Sequence, residues 1–574
     1  MIVNILEELL TKGFFPIQLP PNFNSSSFGK NHEKINVGIN RIVSADNKKN
    51  PYKDWTRTDK YSVARSSYYR RTTNILNPLS YFIIAKLIAD NWHEINIHFK
   101  KSELSLSKPI IGEKSIRAIT LTKFSQLYEK KILDSSGYKY ALITDISSYF
   151  PSIYTHSIPW ALHSKEVSKS NIKGSPLLGD KIDLHCRNAQ DGQTVGLPIG
   201  SDTSHIISEI IGTAIDLELI KRLSTPPKGF RYVDDFCLFF TNKVEAEKTL
   251  AILTSIFNNY ELNINASKTK IMETKDLIEE SWRYGIKKLK ISPEIKSQRN
   301  DIHNFFSSIF TLEKKYKDES IAKYSMKQLS SNIIKKDNWD IFESYLLKIA
   351  YAFPNTIEIV SRFLVTYNYF NYKLDKRNIK RFITSLLEEH SNSSHHNEVC
   401  WLLWLTKELA IKPYQRTINQ VLDMDNNISL IILLDMVNKE LINKKHIPDE
   451  LLSKFISTDE LKNSGWLVSY EAGKRNWLGN DNLEFIKKDK GFKLLLENGV
   501  SFYDENTPPP LLFNRKEYEV LNSSETPPPI EDINILLNSD HDISEEFEFN
   551  ELDEEYFDNS ENIFGDSDSP LYDE

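Results

Sequence analysis

Apolar and polar positions fall into short blocks in the first half of the chain and settle into a helical period in the second. Tyr138 to Thr144 is an apolar-rich run that predicts a buried strand ending at Asp145, and Ile146 to Tyr154 turns from it into a short helix. Residues 188–205 carry three glycines and Pro198 and predict a loop, after which Ser201 or Asp202 caps a long apolar helix running to about Leu219. Glycines there permit close backbone approach to a ligand. Phe230 to Phe240 is an apolar run broken by Asp234-Asp235, which predicts two short buried strands. Neighbouring side chains on a strand point to opposite faces, so both acids reach one site only at a tight turn between the strands. A helix from Lys243 to Tyr260 and a Lys-bearing turn from Leu262 to Ile271 complete a split β-α-β order, in which Asp145 and Asp234 converge from neighbouring antiparallel strands.

From about residue 298 to 495 apolar residues recur three and four apart, as in Ile357, Ile359, Val360, Phe363, Leu364 and Tyr367. Successive helices without strands predict an α-solenoid. Residues 1–50 open with a helical segment that the Pro-rich stretch Phe15 to Phe23 breaks, an arm laid over a domain. Two copies of Thr-Pro-Pro-Pro, Thr507–Pro510 and Thr526–Pro529, predict an extended linker over 501–530.

Charge changes this picture once it is divided. The 574 residues carry a net −7, yet residues 531–574 hold 17 acids and neither Lys nor Arg, which leaves +10 on the rest. A basic body suits a polyanionic partner. The acidic tail is expected to be disordered, and its sharper reading is a nucleic-acid mimic lying in the basic cleft. Three scattered cysteines, Cys186, Cys237 and Cys400, argue against a disulfide framework or a zinc knuckle. The N-terminus carries acids where a signal peptide carries bases, and no uncharged run reaches the length of a membrane span, so a cytoplasmic location is expected.

The candidate chemistry lies in the acids. Like charges buried side by side are costly unless a cation neutralises them, and a divalent ion between Asp145, Asp234 and Asp235 is the usual remedy. If Asp145 holds a metal on a triphosphate, Phe150, five residues further on, is placed to lie beneath the sugar and exclude a 2′-hydroxyl; the alternative is plain core packing. Between residues 50 and 120 bases and aromatics interleave (Lys60, Tyr61, Arg65, Tyr68, Tyr69, Arg70, Arg71, Lys114, Arg117), a mixture that suits phosphates, stacked bases and an incoming triphosphate. His395, His396 and Cys400 have a loosely ligand-like spacing.

Together these residues resemble the palm of reverse transcriptases. Asp145 with Phe150 is similar to the first palm motif, Gln193 to Gly200 to the Gln-Gly-x-Pro-x-Gly type loop, Tyr232-Val233-Asp234-Asp235 to the Tyr-x-Asp-Asp box, and Lys268 with Lys270 to the Lys-bearing turn. Arg117, within Lys114 to Ile119, resembles the fingers arginine that contacts the triphosphate. The resemblance implies an α+β fingers-palm domain over residues 51–290 and catalysis by Asp145, Asp234 and Asp235. It also implies Mg²⁺, with Mn²⁺ as an alternative, held by those acids and the Ile146 carbonyl, and dNTP contacts from Phe150, Gln193, Gly196, Arg117, Lys114 and Lys268. The wording of Asp145 to Ile158 and of Gly196 to His205 is similar to abortive-infection and defence-associated bacterial reverse transcriptases, the AbiK-like unknown groups. That group implies an all-α HEAT-like repeat domain, here 298–500, in place of a thumb, antiphage defence, a homo-oligomer, and DNA made without a template from a protein tyrosine. Tyr52, Tyr61, Tyr68 and Tyr69 are the candidates. Where a primer-grip turn would follow, the chain has only Trp282-Arg283-Tyr284-Gly285. The alternatives are a conventional RNA-templated enzyme with a partner non-coding RNA, and a polymerase-like sensor that binds nucleic acid without catalysis.

Overall fold

The computed structural model describes residues 3–523 apart from 46–54, 67–68, 113–114, 172–174, 224, 278–281 and 480–482. The second Thr-Pro-Pro-Pro copy, the acidic tail, Tyr52, Tyr68 and Lys114 thus lie outside the described residues.

Three sheets occupy the first half. Strands β1 (Asp59–Ala64) and β2 (Arg70–Ile75) form an antiparallel hairpin, β3 (Ile110–Ile111) pairs with β4 (Ile119–Thr120), and β5 (Tyr140–Thr144), β6 (Lys228–Tyr232), β7 (Asp235–Phe240) and β8 (Lys270–Glu273) make one antiparallel sheet in the order β6-β7-β5-β8. The two middle strands of that sheet are its most apolar. All six residues of β7 are buried, as are Ala141 to Thr144 of β5. The helices Asp202–Arg222 and Lys243–Asn259 pack together, and Phe257 of the second stands 5.7 Å, ring to ring, from Phe236 of β7. The Asp202–Arg222 helix is buried on all sides over its first fifteen residues, the signature of a helix within a core rather than on a surface.

Beyond β8 the described residues are helical, with no further strand. Ile295–Tyr316 packs on Trp339–Ala352, Ser320–Leu329 on Ile357–Tyr369, and Ile357–Tyr369 on His396–Glu408, so that helices meet the next but one in two layers. Ile357, Ile359, Val360, Phe363, Leu364 and Tyr367 are all buried, as their spacing predicts. The expected linker is partly a docked strap: Leu512 donates its amide to Thr366 Oγ1 at 3.1 Å, and the rings of Phe513 and Tyr518 lie 5.3 and 4.2 Å from Phe370. The Pro run stops any helix, and the aromatics behind it then bury on the array.

The N-terminal arm is a wedge between the two halves. Phe14 packs on Tyr81 of the first half at 4.9 Å and on Phe502 and Trp466 of the second at 5.4 and 6.2 Å. Phe23 forms a β-bridge with Tyr503, and Trp401 donates its indole N–H to the Gln18 carbonyl at 2.9 Å.

Candidate active site

The register of the central sheet builds the site. Thr144 of β5 pairs with Phe236 of β7, and one step further along both strands stand Asp145 and Asp235. Tyr232 pairs with Asp235, so only Val233 and Asp234 make the turn between β6 and β7. Val233 has φ 56°, while Asp234 is not in the left-handed region, the pattern of a II′ hairpin. A β-branched residue there is strained, by about 1–3 kcal/mol. Ser107 Oγ accepts the Val233 amide at 2.8 Å and Arg231 Nη1 donates to its carbonyl at 2.7 Å, which holds the turn.

Under the turn lies a buried ionic network that no motif announces. The Arg231 guanidinium, 1% exposed, bonds Glu209 at 2.9 and 3.0 Å and Asp216 at 2.8 Å twice. Ser105 and Ser107 donate to Glu209 at 2.6 and 2.9 Å, and Ser102 donates to Asp216 at 2.6 Å. Burial pushes both carboxyls up. For Glu209, Arg231 and two hydroxyls outweigh it and hold the group below its ordinary range; for Asp216, with one hydroxyl, burial prevails and the group stays above it. Gly212, between the two acids on the helix, makes room: a Cβ there would lie 2.6 Å from Arg231 Nη1.

The three aspartates are buried and differently supported. Asp145 Oδ2 faces Lys268 Nζ at 3.3 Å and accepts from Asn265 Nδ2 at 3.3 Å; its carboxyl is raised by burial, and Lys268 opposes the shift. Burial, then the charge of Asp145, pushes Asp234 up to about 7, and burial, then Asp234, raises Asp235 well above the ordinary range. Burial lowers Lys268, against the pull of Asp145 and Asp235. Asp145 Oδ1 and Asp235 Oδ2 are buried without a hydrogen-bond partner. Hard oxygen donors, two of them orphaned, fit a divalent cation. The set is loose: among the described residues, the group whose donor atoms all lie within 4.8 Å of one another is instead His390, His395 and Glu398. Beside Ile146, the bridge to Ile264 runs through the Asp145 carbonyl and the Ser147 amide, which leaves the Ile146 carbonyl outside those two bonds.

Around the acids, the chain turns through Ser148 at φ 47° into the Tyr149–Ser152 helix, which brings Phe150 edge-on to His205 at 5.0 Å. The Phe150 carbonyl accepts from the Leu197 amide at 2.8 Å, tying it to the glycine loop. Those glycines approach protein rather than open space: a Cβ on Gly196, at φ 95°, would lie 3.2 Å from the Pro151 carbonyl, and one on Gly200 would lie 2.7 Å from Pro16. Gln193 is exposed, and Gly196 is buried.

Arg117 departs from the expected triphosphate contact. It is 5% exposed, ion-paired with Asp202, and donates to the carbonyls of Phe15 at 2.7 Å and Gly200 at 3.3 Å, because Asp202, at the buried start of its helix, needs a cation there. Arg65 and Arg71 of the β1–β2 hairpin carry charges that act on Asp235 and Lys268, and on Asp234, respectively. Sequence reasoning placed both in the basic-aromatic stretch but did not single them out. Tyr61 is fully buried with its hydroxyl on Asn397 at 3.1 Å, which removes it from the surface, whereas Tyr69 is 73% exposed. His395, His396 and Cys400 do not converge: His396 Nδ1 accepts the Ser62 amide, and Cys400 is buried against Asn426. Trp282-Arg283-Tyr284-Gly285 lies on a short helix, Trp282–Lys287, with the Arg283 guanidinium over the rings of Trp282 and Tyr128.

Residues 76–298 match the family described as reverse transcriptase (RNA-dependent DNA polymerase). No curated protein matches the chain. Among 46 matching chains of solved structures is telomerase from Candida albicans in complex with a TWJ fragment of telomeric RNA, 12% identical, with a TM-score of 0.27, covering 63% of this chain and 67% of that one. No helix among the described residues is long and apolar enough to cross a membrane. Residues 76–298, which carry the three aspartates, are a reverse transcriptase domain, and the activity that goes with it is RNA-directed DNA polymerisation.

Proposed function

We propose that this protein makes DNA from deoxynucleoside triphosphates with Asp145, Asp234 and Asp235 as its catalytic carboxylates. The observation that carries the reading is the register of β5 with β7, which sets two acids side by side at the strand ends and the third on the adjoining turn. The three acids and the Ile146 carbonyl would hold Mg²⁺, which lowers the pKa of an attacking hydroxyl and steadies the pyrophosphate leaving group. Arg65 and Arg71 neutralise the triphosphate, and Lys268 orients Asp145 and favours its ionised form against burial. Phe150, wedged between His205 and the glycine loop, occupies the space below the sugar. Positioning and charge neutralisation do most of the work.

The motif wording supports membership of the defence-associated, AbiK-like group, and the two-layered helices after residue 295 support its HEAT-like domain. Antiphage defence and protein priming belong to the same proposal. Of the candidate tyrosines, Tyr69, exposed beyond the end of β1, suits priming better than buried Tyr61. Incubation with labelled dNTPs and Mg²⁺, with and without RNA, followed by denaturing electrophoresis, separates the cases. Label on the protein marks tyrosine priming, label on free DNA marks an ordinary primer, and dependence on added RNA marks templating. No label at all leaves the sensor and sinks the polymerase reading.

Phe150→Ala opens the sugar pocket. Ribonucleotide incorporation relative to deoxynucleotide is expected to rise by roughly tenfold or more, since the loss of steric exclusion is on the order of 1–3 kcal/mol. An unchanged ratio with both nucleotides still used removes Phe150 as the gate.

A further inference from the structure

We propose that Glu398, on the helical half, is a positioning residue for the nucleotide site: it pins the β1–β2 hairpin and so fixes the strands that carry Arg65 and Arg71. The inference rests on the polymerase reading. The β1–β2 hairpin is a two-stranded sheet separate from the one that carries the aspartates, and such a pair is marginal by itself. Besides the Asn74 amide on the Ile199 carbonyl at 2.7 Å, its support comes from three consecutive residues at the start of the His396–Glu408 helix. His396 Nδ1 accepts the Ser62 amide at 3.2 Å, Asn397 accepts the Tyr61 hydroxyl at 3.1 Å, and Glu398 takes the Arg70 guanidinium in a fork at 2.6 and 2.7 Å. Arg70 also donates to the Ser62 hydroxyl at 2.6 Å and to the Ser62 carbonyl at 3.2 Å, so one guanidinium ties both strands to the helix. The Glu398 side chain is 1% exposed and that of Arg70 18%, which makes this a largely dry, bidentate pair, unlike the surface pairs whose contribution is small.

The same contacts explain the gathering of His390, His395 and Glu398. His390 Nδ1 and His395 Nδ1 are 2.9 Å apart, as a hydrogen bond between them requires, and His395 Nδ1 is 3.9 Å from Glu398 Oε1. Both Glu398 oxygens are already bonded to Arg70, so the cation of this cluster is the guanidinium. The cluster is a latch on the hairpin rather than a metal site.

What the latch holds is the reach of the nucleotide arginines. Arg70 and Arg71 are consecutive on β2, and Val63, two residues before Arg65, pairs with Arg71. Past the strand ends the hairpin closes through the Arg65 amide on the Tyr69 carbonyl at 3.0 Å. A shift of Arg70 therefore carries Arg65 and Arg71 with it, and misplacement of charged groups by about 1 Å costs up to roughly a hundredfold.

The test uses the full chain with Glu398→Gln, which keeps the shape but not the charge, and Arg70→Lys, which keeps the charge but not the fork. Equilibrium binding of dTTP with Mg²⁺ is measured beside backbone hydrogen exchange. The expected result for Glu398→Gln is dTTP binding weakened by roughly tenfold, within the range of coupling between sites, with faster exchange over residues 59–64 and 70–75 and unchanged exchange in β5 and β7. Arg70→Lys gives a smaller effect of the same kind, and it decides the matter by the same two readouts should Glu398→Gln not fold. Unchanged exchange in the hairpin overturns the proposal. So does a loosened hairpin with dTTP affinity within about twofold of wild type, a margin too small for a coupled site. Binding needs no turnover, so a wild-type protein that binds dTTP and incorporates none sinks the polymerase reading and leaves the latch standing, whereas one that binds no dTTP overturns both.

Discussion

Asp234→Ala abolishes nucleotide incorporation, by roughly a thousandfold or more, because several kcal/mol of transition-state charge stabilisation go with the metal ligand. The folded protein survives the change and gains from it. Asp234 sits at a turn whose backbone is held at Val233 by Ser107 and Arg231, and its ionised form is opposed by burial and by Asp145. Its proton is held more tightly in the folded chain than in the unfolded one, up to about 7 against an ordinary 3.8. The resulting penalty is absent below the unfolded value, grows as pH rises through that window, and is complete above about 7. In Mg²⁺-free buffer, then, thermal stability should fall as pH climbs from 4 to 7 (about the window between the two values), and Asp234→Asn should flatten that fall and raise the melting temperature at neutral pH. Added Mg²⁺ should restore stability to the wild type more than to the variant. Retained incorporation by Asp234→Ala refutes the assignment of the catalytic acids. A pH profile that Asp234→Asn leaves unaltered refutes the account of their electrostatics.

How much of this was readable in the chain depends on sequence distance. Asp145 at the end of a strand and Asp234-Asp235 at a hairpin follow from apolar runs a few residues long, and the structure has both. The pairing of Arg117 was not legible, because its partner, Asp202, lies 85 residues away and reads as a helix cap; the Asp202 carboxylate also accepts from the amides of Ala118 and Ile119. Lys268 resembled a member of the site on motif order, yet its 3.3 Å approach to Asp145 depends on the turn at Asn265 and Thr269. The hairpin's own support was the hardest to see, since Ser107 is 126 residues from Val233. One signal was available. Glu209 and Asp216 stand seven apart, on one face of an apolar-periodic helix, with Gly212 between them. Two acids in a stripe that must be buried call for a cation, and a glycine between them leaves room for a large one.

That cation is Arg231, and Arg231→Met is the second large effect to expect. The substitution leaves Glu209 and Asp216 buried without their counter-charge, and breaking such a pair by removing one partner costs about 3–5 kcal/mol. Chemical denaturation should show a loss of that size. Loss of stability alone would not distinguish a positioning role from a structural one, so the informative variant combines Arg231→Met with Glu209→Gln and Asp216→Asn. Neutral groups of the same shape remove the uncompensated charges and recover part of the stability, less the cost of their own unpaired amide groups. They cannot recover the bond from Arg231 Nη1 to the Val233 carbonyl, and Val233 remains at φ 56° with only Ser107 to hold it. The triple variant should therefore be more stable than Arg231→Met alone while incorporation stays depressed by about tenfold, the cost of one lost hydrogen bond to a strained turn. Full activity in a stable triple variant would mean that the hairpin carries its aspartates without the network beneath it.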